Sequence, residues 1–153
     1  MLYLILKVLH IIGATLFFGA GMASAFFKFK ADLEGDIAGI VFAQRNIVLA
    51  DWLFTVPSGF IMPTTGIWMA DIAGYSLWSG WVGWGMLLYA VAGLTWLPAA
   101  FLQIKMRDEA IAARDEGRPL SEAYTRWKRI WFVLGIPAFA AAVVTIVMMV
   151  LKP

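Results

Sequence analysis

Residues 1–27 read MLYLILKVLHIIGATLFFGAGMASAFF, and the class of the molecule turns on them. From Leu2 to Phe27 the run is apolar apart from Lys7, His10 and a few small polar residues. No basic segment precedes it, and at about 26 residues it is too long for the core of a secretory signal. At roughly 1.5 Å per residue it reaches past the ~30 Å hydrocarbon core of a bilayer. It is expected to be a retained first transmembrane helix.

Composition extends that reading to the whole chain. Hydrophobic residues make up 62% and charged residues 14%, against about 45–50% and 25% in ordinary soluble domains. A soluble fold of this length could not bury so much apolar surface, so lipid has to be the solvent for much of it. Three further apolar runs cover about 47–70, 82–104 and 130–151. The expected fold is all-α: a four-transmembrane-helix bundle forming one domain over 1–153. Between the first two spans, Ile37, Ile40, Val41 and Gln44 recur at helical spacing, which predicts a short surface-lying helix leading into the second span. The third helix is expected to extend to about Asp115 and break at Gly117-Arg118-Pro119, with Ser121 capping the next one.

Charge gives the orientation. Ten of the twelve Lys and Arg residues lie between Lys28 and Arg45 or in the charged segment 105–129; only Lys7 and Lys152 lie elsewhere. Basic loops stay in the cytoplasm, so both termini are expected outside and the 105–129 loop inside. Trp78, Trp81 and Trp84 then fall at the outer interface and Trp127 and Trp131 at the inner one, as aromatic belts do.

The chain has no cysteine, which excludes disulfides, thiolate metal sites and cysteine nucleophiles. It also lacks a glycine-rich phosphate loop, a serine triad and mid-span carboxylate pairs, and nothing in it calls for nucleic acid.

The polar residues inside the spans are the candidates for function. His10 is the only histidine. Titratable groups inside a bilayer are costly and normally face a protein interior with a partner. Gly13, Phe17, Gly21 and Ser24 continue its face at spacings of three or four, a mostly small stripe that lets a helix or a flat ligand approach. His10 can be a hydrogen-bonded pin between helices, a cofactor or metal ligand, or a proton-transfer group. In the second span Asp51, Thr55, Ser58, Met62, Thr65 and Met69 share one helical face, interrupted by Pro57 and Pro63. That face is either a kinked helix repairing its own backbone with hydroxyls or the wall of a pocket. Counting inward from the outer ends puts Met62, Thr65 and Gly66 in the layer of His10. Asp51 lies nearer the inner face, with Ser24, Gln103 and Arg129, and is expected to pair with Arg129 or Gln103. A haem would have to use His10 alone, His10 with a methionine such as Met62, or two His10 side chains across a symmetric dimer.

The stretches KVLHIIG (7–13), DWLFTVPSGFIMPTTGIWMA (51–70), LYAVAGLTWLPAAFLQIKMR (88–107) and RWKRIWFVLGI (126–136), with the final Lys152-Pro153, resemble a bacterial family of predicted integral membrane proteins classed as a domain of unknown function. That resemblance implies a multi-pass protein of the bacterial inner membrane. The opening Lys-x-x-His-Ile-Ile and the polar second span are more distantly similar to HemJ-type protoporphyrinogen oxidases and copper-resistance-D-type membrane domains. The HemJ likeness implies b-type haem on His10, with Met62 and Thr65 from the second span as the opposite wall. The third span here has no lysine where HemJ-type proteins carry one, which puts protoporphyrinogen oxidation itself in doubt. Two functions are therefore expected as alternatives. One is a haem-b-binding redox protein with His10 as the iron ligand. The other is a non-enzymatic membrane subunit or assembly factor that docks a protein partner through the 105–129 loop.

Overall fold

The computed structural model describes residues 1–153 and is all helix and turn, with no strand. Five α-helices follow in order: α1 (Leu2–Glu34), α2 (Ile37–Ala50), α3 (Val56–Ile72), α4 (Gly80–Asp115) and α5 (Glu122–Leu151). A single π-helical turn, Asp51–Thr55, joins α2 to α3, so the two run as one interrupted rod over Ile37–Ile72. Four helices, with that rod counted as one, are long and apolar enough to cross a membrane.

The surface-lying helix expected at 37–46 is instead the first part of this rod. Its Ile40, Val41, Ala43, Gln44, Ile47 and Val48 are all buried. Gly35 takes a left-handed φ of 74°, which only glycine adopts freely. Asp36 then caps α2 by accepting the Gly39 N–H at 2.7 Å. The chain thus reverses in two residues, with no room for a helix lying flat. The rod is the central element, packed against α1 on one side and α4 on the other, while α5 packs on α4. Its polar face is buried because the rod sits in the middle.

The π turn has a local cause. Pro57 has no N–H, and its ring crowds the carbonyl four residues back. The wider turn relieves that crowding, with the Val56 N–H reaching back to Asp51 O.

Each rod of 30 to 36 residues is about 45–54 Å long at 1.5 Å per residue. The excess over the bilayer core gathers at the end that carries the basic residues. There α1, α2, α4 and α5 pack into a compact cluster of Ile40, Val41, Met106, Ala110 and Tyr124, each at most 3% exposed. Trp127 and Trp131 pack half-buried against this cluster. Lys105 stands over the Trp127 ring and Lys28 over the Trp131 ring, so these two are less a lipid-facing belt than part of a core. At the opposite end Trp78 and Trp84 are exposed. The apolar side chains along the membrane stretch are mostly on the surface, as expected where the surroundings are themselves apolar.

α4 and α5 form a tight antiparallel hairpin. The Arg118 N–H bonds to Ala113 O and the Gly117 N–H to Arg114 O, with Gly117 left-handed at φ 63°. Pro119 prevents continuation, and the Ser121 side chain caps α5 by accepting the Tyr124 N–H.

Candidate functional site

His10 meets the rod where α1 crosses α3. Its Nδ1 lies 3.0 Å from Met62 O and 3.0 Å from Thr65 Oγ1. A carbonyl oxygen can only accept, so Nδ1 carries the hydrogen and donates it, shared between the two oxygens. The Thr65 hydroxyl spends its own proton on Ile61 O at 2.6 Å, with Met62 O at 3.2 Å, and so turns a lone pair toward the ring. The tautomer follows: in the neutral ring Nε2 holds the free lone pair, and no group of the chain hydrogen-bonds to it.

Two glycines make this contact possible. A Cβ on Gly66 would lie 3.1 Å from His10 Cε1, and a Cβ on Gly13 would lie 3.2 Å from Met62 Cγ and 3.3 Å from Ile61 Cγ2. Both are tighter than ordinary contacts, so each helix presents a glycine where the other presents bulk. Farther along α1, Ser24 is buried but Gly21 faces open space, so only part of the small stripe is used for packing. The structure therefore brings His10, Met62 and Thr65 together, with Met62 contributing its carbonyl to the imidazole and its side chain to Gly13.

Pro63 leaves the Gly59 carbonyl without its helical donor. That carbonyl accepts the Tyr89 hydroxyl from α4. The repair comes from a neighbouring helix rather than from Thr64, whose hydroxyl goes to Phe60 O at 2.7 Å.

Asp51 does not pair with Arg129 or Gln103. Its Oδ1 accepts the Thr55 hydroxyl at 2.9 Å. The two side chains are four residues apart, and the π turn, which advances less per residue than an α-helix, sets them on one side of the rod. Gln103 is buried with its Oε1 unpartnered, as is the Ser58 hydroxyl.

A second polar constellation at the basic end escapes sequence reasoning. Lys28 is 1% exposed and pairs with Asp32 at 2.8 Å. Tyr124 donates to Asp32 Oδ1 at 2.5 Å and accepts from Gln44 Nε2 at 3.0 Å. The only local signal is the i,i+4 spacing of Lys28 and Asp32; the other partners lie 80 and 92 positions apart in the chain. The ion pair lies within α1; the helices are joined here by Tyr124, which reaches from α5 to Asp32 on α1 and to Gln44 on α2.

A family model described as "Predicted integral membrane protein (DUF2269)" matches residues 4–153. No curated protein and no solved structure matches the chain.

Proposed function

Since the chain belongs to the DUF2269 family of predicted integral membrane proteins, we propose that it is a small b-type haem protein of a bacterial inner membrane, with both termini outside and His10 as the iron ligand. One observation carries this reading: His10 Nδ1–H is held by Met62 O and Thr65 Oγ1 while Nε2 is free. Metal-ligating imidazoles are oriented in this way, with the far nitrogen donating to a carbonyl or carboxylate.

The donor set also favours a macrocycle over a bare ion. No group of three or more His, Cys, Asp or Glu side chains converges in the chain. A bare ion needs such a cage, whereas a porphyrin brings its own equatorial nitrogens and asks the protein for one or two axial groups. When bound, the haem supplies one-electron transfer. The chain's own part is to fix the imidazole's tautomer and direction through Met62 O and Thr65, with Gly66 letting the ring seat against α3. The His10 of a second copy in a homodimer would supply a further ligand, since the Met62 carbonyl holds the Nδ1 side of the ring and its side chain is already packed on Gly13.

Titration of detergent-purified protein with hemin tests this. Wild type gives a saturable Soret shift, His10→Ala gives none, and Thr65→Val binds about tenfold more weakly through loss of the orienting contact. Equal titrations of wild type and His10→Ala would sink the reading.

A docking role for the basic end has its own support. Arg126 and Arg129 are exposed and form no ion pair, while Arg107, Arg114 and Arg118 are engaged with neighbouring carboxylates. Reversing the charge of both free arginines should then abolish co-purification of a membrane partner while leaving hemin binding intact.

A further inference from the structure

A site separate from His10 lies where α3 leans away from α4. The π turn and the first part of α3, with α4 and one residue each of α1 and α2, bound a cleft of about 530 Å³. Phe17, Trp52, Tyr89 and Trp96 line it, and Asp51 and Thr55 supply its polar groups. His10 takes no part.

Asp51 is what sets this cleft apart. It is 8% exposed, Thr55 is its one hydrogen-bond donor, and it has no ion-pair partner. No Lys, Arg or His lines the cleft. A carboxylate buried at membrane depth normally pairs with a cation, and here the chain provides none. What can approach Asp51 through the cleft therefore has to bring the positive charge. The walls narrow its kind. A small inorganic cation needs several oxygen ligands to replace its water, and most of this lining is aromatic or aliphatic. An organic cation spreads its charge, sheds water cheaply and is attracted to the faces of Trp and Tyr rings. The volume lies within the range of drug-sized sites.

We propose that this cleft binds a lipophilic organic cation, an amine or quaternary onium, with Asp51 as its counter-ion and the Trp52 and Trp96 rings as its walls. The site is independent of haem on His10, and either can stand without the other.

Equilibrium dialysis of the full chain in neutral detergent, with tetraphenylphosphonium as probe, tests the proposal. Wild type binds the probe saturably. Asp51→Asn weakens binding by about tenfold or more, Asp51→Glu retains most of it, and Trp96→Leu weakens it several-fold. Wild type also needs no variant to be informative: benzyltrimethylammonium displaces the probe, and its neutral isostere neopentylbenzene does so at least about tenfold less well. Equal displacement by the charged and neutral compounds, or unchanged binding in a folded Asp51→Asn protein, would overturn it.

Discussion

Pro63 and Tyr89 show how single residues in this bundle depend on one another. The Tyr89 hydroxyl donates to the carbonyl that Pro63 leaves free. Removing it in Tyr89→Phe strands a partly buried acceptor, at a cost of about 1–3 kcal/mol. In a Pro63→Ala background residue 63 regains its N–H and can bond Gly59 itself, so the same Tyr89→Phe change should then cost little. Thermal unfolding of the four proteins in detergent measures the coupling; equal costs in both backgrounds would show that the hydroxyl is not repairing the proline. At this scale the sequence was legible wherever depth decides. Counting turns from the outer ends brings His10 level with Met62 and Thr65, and the structure joins them. It was illegible wherever a partner comes from a distant helix by side-chain reach alone. Tyr89 on Gly59 and Tyr124 on Asp32 have no periodic signature. Asp51 was misread because layer counting supplies depth but no azimuth: its carboxylate turns to Thr55 on its own rod, while α5, which carries Arg129, packs mainly on α4.

Among the elements, the α4–α5 hairpin was the most readable, because glycine, proline and a capping serine are local punctuation. What the sequence did not give is the brace across it. Glu109, five residues beyond the apolar run that ends at Ile104, accepts from Arg118 at 2.7 Å and from the Ser121 N–H at 3.0 Å. Hydrogen bonding from the Arg118 guanidinium holds the Glu109 carboxyl down at about 2, against an ordinary 4.5. The folded pKa is depressed, so the brace contributes fully above the ordinary carboxylate value and is lost as pH falls from about 4.5 toward 2. Amide exchange at residues 116–121, measured relative to the rest of the chain, should rise over that acid window in wild type. In Glu109→Gln it should be faster at neutral pH and lack that pH dependence. The short α2 helix was misplaced for a different reason. Its apolar spacing fits a helix on a membrane surface as well as one in a bundle, and only the two-residue turn at Gly35-Asp36 separates them.

Over the whole molecule the two solvents divide the work. At the basic end, where rods longer than the bilayer meet water, burial is compact, with an apolar cluster around Met106, Ala110 and Tyr124 beside the buried Lys28–Asp32 pair and Gln44. Along the membrane stretch the helices meet through glycine contacts and specific hydrogen bonds, and α3 parts from α4 to leave the Asp51 cleft. The proposed orientation has a direct check, because the chain has no native cysteine. Glu116→Cys should react with a membrane-impermeant maleimide only after cells are opened, and Trp78→Cys should react in intact spheroplasts. The reverse pattern would put the basic end outside and undo the reading of charge. Both His10 and its haem role depend on a single free nitrogen, and one spectrum judges that most directly. Protein purified from haem-replete cells should carry a Soret band near one haem per binding unit, absent in His10→Ala of the same helical content; a colourless wild type, or a band that survives His10→Ala, would contradict the account.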